Sequence, residues 1–250
     1  PSTVNQNLPL DTIEALAWGS NLDWGFNKHP PLSAFFVDIF FTIFGSQDWA
    51  YYFLSQIFVI VAFYFVFKLS YELLDSIKLS FISVLLLETI YFYNFTTPEF
   101  NVNVSQLPFW ALTVYFFWKG LHSDRKINWI LFGIFSALGF LSKYLFIYIL
   151  LALLAFFVFN YKRYHQSVKN YSLSIILSLV LLIPHFFWLF ENNFVTIFYG
   201  LSRSGLSEFI MINHLKNPID FLIKQILILI PFFFMVFTII KKFKFEIKKK

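Results

Sequence analysis

Long apolar runs separated by short polar or charged stretches fill most of the 250-residue chain. A helix that crosses a bilayer needs roughly 17 to 25 such residues. On that measure the pattern predicts five spans, Trp49 to Phe67, Leu79 to Phe95, Val104 to Trp118, Tyr171 to Leu189 and Phe221 to Ile240. The run Trp129 to Phe159 is too long for one span and too short for two comfortable ones. Its flanks, "HSDRKIN" and "NYKRYHQSVKN", are both basic, which predicts a tight hairpin that turns near "LSKY" and returns to the side it left. Leu32 to Phe44 is short for a span, and Ser33, Asp38 and Thr42 give it a polar side, so it reads as a helix lying in the membrane interface. Just before it, in "GFNKHPPLSAFF", Pro30 restrains His29 to an extended backbone and Pro31 suits the first turn of the helix that follows.

The fold class that follows is an all-α polytopic membrane protein. With 58% hydrophobic residues, 13% charged residues and a mean hydropathy of +0.68, the chain must use lipid as solvent. It reads as one transmembrane domain over 1–250. Within it, 1–48 is an outer loop with interfacial helices, 49–190 carries the spans and the hairpin at 129–159, 191–220 is a second outer loop, 221–240 a span, and 241–250 a basic cytoplasmic end. The opening at Pro1, polar as far as Asp23, reads as a piece whose first span lies upstream. The 38 phenylalanines are accounted for by an AT-rich gene as well as by any aromatic binding function, and the lack of cysteine rules out disulfides, thiolate metal sites and a cysteine nucleophile.

Charge gives the sidedness. Lys68, Lys78, Lys119, Arg125, Lys126, Lys162, Arg163, Lys169 and the six lysines after Ile240 fall on one side, 14 of the 19 basic residues. That side is expected to be cytoplasmic. Nine of the 14 acids (Asp11, Glu14, Asp23, Asp38, Asp48, Glu99, Glu191, Glu208 and Asp220) face outward with Lys28, Lys143, Arg203, Lys216 and Lys224. Any chemistry is therefore expected on the outer face.

Several outward residues lie beside spans rather than far out in water. Asp11 and Glu14 are three apart and share one helix face, as a pair of working carboxylates or as the acidic first turn of a capped helix. Glu99 follows Pro98 in a short loop, where it either meets a cation or is solvated. Lys143 stands at the hairpin apex, to pair with a lipid phosphate or to snorkel. Arg203 offers a bidentate fork for phosphate or a headgroup anchor. Glu88 lies within a predicted span, where it is protonated, paired with a lysine, or in a water-filled cavity.

The stretch "LDTIEALAWGSNLDWGFNKHPPLSAFF" resembles the first large outer loop of bacterial glycosyltransferase family 39, the protein O-mannosyltransferase-like group that includes the lipid A aminoarabinose transferases, within the GT-C superfamily. Asp11 stands 14 residues before Gly25, Phe26 takes a tyrosine position, and "KHPPL" follows. The similarity continues through "TTPEFNVNVSQLPFWAL", "ALGFLSKYLFIYILL" and "HLKNPIDFLIKQILILIP". It implies a GT-C helical bundle in the bacterial inner membrane, with a periplasmic active face. The implied reaction moves a sugar, with inversion, from a polyprenyl-phosphate donor to a lipid, glycan or protein acceptor, with no nucleic acid involved. Asp11 is then the base, and because an ordinary Asp pKa near roughly 3.9 makes it a weak one, it depends on positioning and on a good leaving group. Glu14 is its catalytic companion, since Thr12 replaces the adjacent acid of the family. Lys28, His29, Lys143 and Arg203 are the implied donor-phosphate ligands. A divalent metal ion is the implied cofactor, with Glu99 and His29 as its ligands, although Val102 stands where a further histidine is expected. Two other readings stay open. A transporter or flippase of a lipid-linked or anionic substrate would suit Glu88, Lys143 and Lys224, but its inverted repeats are not apparent. A purely structural membrane subunit would leave the outer acids as surface charges.

Overall fold

The computed structural model describes residues 7–123, 125–203 and 213–242. In chain order the helices are α1 (Leu10–Gly19), α2 (Leu32–Phe44), α3 (Asp48–Leu74), α4 (Ile77–Glu88), α5 (Tyr91–Asn94), α6 (Val102–Ser123), α7 (Lys126–Ser142), α8 (Ile147–Phe159), α9 (Tyr161–Tyr164), α10 (Val168–Glu191), α11 (Val195–Arg203), α12 (Asn213–Ile228) and α13 (Ile230–Lys242). There is no strand among the described residues. Helix α3 and the run Tyr161–Glu191 are long and apolar enough to cross a membrane, and α12 with α13 qualifies as one bent span. The protein is thus an all-α membrane protein.

Helix α6 is the centre of the bundle, packed between α3 and α7, with α10 on the far side of α7. Rings fill the interior. Phe58 of α3 lies edge-on to Phe36 of α2 at 4.8 Å and to Phe100 at 5.2 Å between centroids. Such contacts add about 0.5–1.5 kcal/mol each to the burial itself. Helices α7 and α10 meet backbone to backbone at Gly133, where a Cβ would stand 2.7 Å from the Ser174 carbonyl oxygen, and the Ser178 hydroxyl donates to the Gly133 carbonyl at 2.8 Å. Small residues and hydroxyls are what lets helices associate in lipid, which supplies no hydrophobic drive of its own.

The hairpin at 129–159 is present. It turns at Lys143, followed by a 3₁₀ turn at Tyr144–Phe146, and its far ends rejoin around Tyr171, whose ring lies 5.6 Å from Trp129 and 4.4 Å from Phe157. Gly139 makes room for the turn, since Phe146 packs where its Cβ would be.

Two expected spans are not single straight helices. The run Leu79 to Phe95 breaks after Glu88, where the Thr89 hydroxyl bonds back to the Leu86 carbonyl at 2.6 Å and the backbone tightens over Thr89 and Ile90 before the short α5. The run Phe221 to Ile240 is bent by 41° between α12 and α13. Pro231 has no N–H to continue the ladder there, and the Leu229 amide is shared between the carbonyls of Gln225 and Ile226. The stretch 191–220, expected as an outer loop, contains α11 and the start of α12, while 204–212 and the basic end beyond Lys242 lie outside the described residues.

Candidate functional site

One end of the bundle gathers the N-termini of α3 and α6, the C-terminus of α7 and the pair α1 and α2. Helix α1 lacks a side-chain cap. Pro9 holds the N-cap position, and the amide of Asp11, one of the orphan donors of the first turn, goes to Glu99 Oε1 at 3.2 Å. The Asp11 carboxylate therefore caps nothing in its own helix and is exposed to solvent. Thr12, next to it, is buried and donates to the Phe100 carbonyl at 3.0 Å. Where the family resemblance implies a second acid, this chain has a hydroxyl that pins α1 to the loop carrying Glu99.

A small cleft of about 10 Å³, room for one water, is lined by Asp11, Glu14, Ala15 and Trp18 of α1, His29, Ser33 of α2, and Asn101 and Val102 at the start of α6. Asn101 caps α6, its Oδ1 accepting from the amides of Asn103 at 2.9 Å and Val104 at 3.2 Å. Ser33 is 1% exposed and its hydroxyl has no protein partner. Trp18 stacks on Phe26 at 5.1 Å and meets His29 edge-on at 5.9 Å, fixing the "GFNKH" turn, in which the Phe26 amide donates to the His29 carbonyl.

Cations surround the cleft. Lys28 pairs with Glu14 at 2.5 Å, and this hydrogen bond is the main reason its pKa is raised. Burial lowers the pKa of His29, with the charge of Lys143 pushing the same way and Glu14 and Asp11 opposing. Burial also lowers that of Lys143, against the pull of Asp11. The Lys143 ammonium is half-buried and hydrogen-bonded to the Asn103 side-chain oxygen, with no carboxylate in ion-pair range among the described residues. Burial raises the carboxyl of Glu99, partly offset by the Asp11 amide, while the Asp11 charge raises it further. Six of the seven residues predicted for the site (Asp11, Glu14, Lys28, His29, Glu99 and Lys143) thus come together from four segments. Arg203 stands one residue removed, its guanidinium on Tyr199, which is itself close enough to influence Lys28. Among the described residues no three of His, Asp and Glu form a metal-binding group, so the implied ion has no all-protein cage there.

Behind the site lies a clamp that sequence reading did not single out. The loop Asp23–Phe26 is held by α10 and α11. The Nδ1 of fully buried His185 meets the Trp24 carbonyl at 2.5 Å and its Nε2 meets the Tyr144 hydroxyl at 2.8 Å, Trp188 Nε1 donates to Asp23 Oδ2 at 2.6 Å, and the Thr196 hydroxyl donates to the Phe26 carbonyl at 2.6 Å. Gly25 is glycine because the Trp188 ring lies 2.3 Å from where a Cβ would be. The signal was available, since His185 is an ionisable residue within a predicted span.

A helical bundle with lipid-facing apolar walls and a cleft of acids and bases at one end defines a membrane protein with a polar reaction or binding site at its rim. The profile of the dolichyl-phosphate-mannose-protein mannosyltransferase family matches residues 28–188, and the chain belongs to that family. It is therefore a membrane glycosyltransferase of the GT-C type, and lipid-linked donor, acceptor and bilayer are its partners in general terms. No curated protein and no solved structure matches the chain.

Proposed function

We propose that the cleft transfers a sugar from a polyprenyl-phosphate donor to an acceptor hydroxyl on the outer, periplasmic face of the bacterial inner membrane, with inversion. The observation that carries this reading is that Asp11, a carboxylate free of its own helix, and His29 line one cleft, with Lys28 ion-paired to Glu14 of its lining and Lys143 near enough to interact with both by charge. The donor phosphate seats on Lys143 and His29, where a half-buried ammonium and a half-buried imidazole have no anionic partner among the described residues. Lys28 approaches from the side, held by Glu14, whose role is then to position that lysine. The acceptor oxygen attacks the anomeric carbon opposite the phosphate. Its proton passes to Asp11, the bond from the anomeric carbon to the phosphate oxygen breaks, and the polyprenyl phosphate leaves with the electron pair, its new charge met by Lys143 and His29.

Glu99 sets Asp11 in place through the backbone amide. Were a divalent ion to take part, Glu99 and His29 would be the residues to hold it, and it would supply positive charge to the donor phosphate; loss of transfer on chelation, restored by added ion, is its test. The main test is transfer from a radiolabelled polyprenyl-phosphate sugar in membranes, wild type beside Asp11→Asn, which should abolish labelling of acceptor while leaving expression unchanged.

A further inference from the structure

A second cavity, of about 550 Å³, opens on the other side of the loop that carries Glu99. Its volume lies within the range of small-molecule sites. One wall is a stripe on the first turns of α3, Trp49, Phe53 and Gln56, and the opposite wall is Glu88 at the end of α4 with Tyr93 of α5. Glu88 is the predicted intramembrane acid; it is half-buried, lines the cavity, and is followed by the break in the chain. That carboxylate has no hydrogen-bond or ion-pair partner among the described residues. Among the described residues no Lys, Arg or His lines the cavity, which argues against a phosphate as its occupant.

We propose that this cavity is the acceptor subsite and that it takes a hydroxyl-rich sugar ring, the glycan portion of an acceptor. The inference rests on the function proposed above and names the acceptor class. Flat aromatic faces beside a carboxylate and a side-chain amide suit a pyranose, which has apolar C–H faces and an equatorial belt of hydroxyl donors. Hydrogen bonds to an ionised acceptor are about twice as strong as neutral ones, which makes Glu88 the anchor. The loop gives the geometry for transfer. Thr97 and Pro98 line this cavity, while Glu99 and Asn101, immediately after them, border the Asp11 cleft. Thr97 is fixed on the α3 side, its carbonyl accepting from Ser55 and Gln56, so the cavity and the Asp11 cleft are joined through one anchored loop.

The test is saturation-transfer NMR on the full-length parent protein in phosphatidylcholine nanodiscs, with methyl glucoside, methyl mannoside and methyl N-acetylglucosaminide as probes. The expected result is transfer to the ring protons of at least one glycoside, reduced about tenfold in Glu88→Gln and in Tyr93→Ala. Glu88→Gln removes no contact, so loss of signal in it is not loss of fold. No transfer from any probe, or transfer indifferent to both cavity variants, overturns the proposal, as does displacement of the probe by phosphoethanolamine, which would make this a lipid-headgroup site. Binding and catalysis separate cleanly. Glycoside binding without Asp11-dependent sugar transfer would sink the function proposed for the cleft, and sugar transfer without glycoside binding would sink the subsite alone.

Discussion

At the scale of single residues, the site is built by unusual assignments of ordinary groups. The Asp11 amide, which its own helix cannot satisfy, goes to Glu99, and this leaves two carboxylates close together. Because the folded protein raises the Glu99 pKa, it binds that proton more tightly than the unfolded chain does. Ionised Glu99 therefore costs stability at pH 7, and the cost is relieved as pH falls towards and below the ordinary value of 4.5. Glu99→Gln keeps an oxygen for the Asp11 amide and removes the charge. Its melting temperature at pH 7 should equal or exceed that of wild type, with the gap closing in acid, as thermal melts across pH would record; a drop at pH 7 would mean that the charge itself is needed for folding. Gly25 is constrained by space and not by its backbone angle. Gly25→Ala must displace the Trp188 ring, and an overpacking cost of about 1–3 kcal/mol is expected in chemical denaturation. Lys143 has no anionic partner among the described residues, so Lys143→Gln should raise the donor KM about tenfold, with little change in melting temperature.

At the scale of elements, the apolar pattern made some features legible and concealed others. The hairpin could be read because both flanks of 129–159 are basic, and the short helix α2 because "PPL" starts it and "GSQD" stops it. The break after Glu88 could not, because Thr89 and Ile90 are apolar enough to continue a span and the back-bonding hydroxyl acts only locally. The bend before Pro231 was within reach of a proline rule, though hydropathy alone ran straight through it. For the site, Asp11, Lys28, His29 and Lys143 were readable from charge beside spans and from the family resemblance. Thr12 and Asn101 were not, because their work is to hold α1 and α6 in place through local and long-range hydrogen bonds, and His185, though visible as an ionisable residue in a span, carries no sign in the sequence that it meets the Asp23–Phe26 loop. The clamp predicts its own test. His185→Phe keeps the bulk but strips the partner from the Trp24 carbonyl and the Tyr144 hydroxyl, at a cost of about 1–3 kcal/mol. Limited proteolysis should then cut within residues 20–28 sooner than in wild type, whereas unchanged cleavage would mean that Trp188 and Thr196 hold the loop by themselves.

At the scale of the whole molecule, the bundle faces lipid along its length and keeps polar chemistry at one rim, where the Asp11 cleft and the Glu88 cavity share the loop from Thr97 to Asn101. Family membership makes the protein a glycosyltransferase; in the function proposed here the cleft supplies a base and a seat for a phosphate leaving group. The central claim is that Asp11 deprotonates the acceptor while Lys143 and His29 receive the donor phosphate. Its most direct measurement is single-turnover sugar transfer from a labelled polyprenyl-phosphate donor in membranes holding the full-length parent protein, comparing wild type with Asp11→Asn at saturating donor. The claim predicts that Asp11→Asn still binds the donor with an unchanged midpoint and fails to transfer its sugar. Transfer at the wild-type rate, or movement of the labelled donor between leaflets without any labelled product, would contradict it.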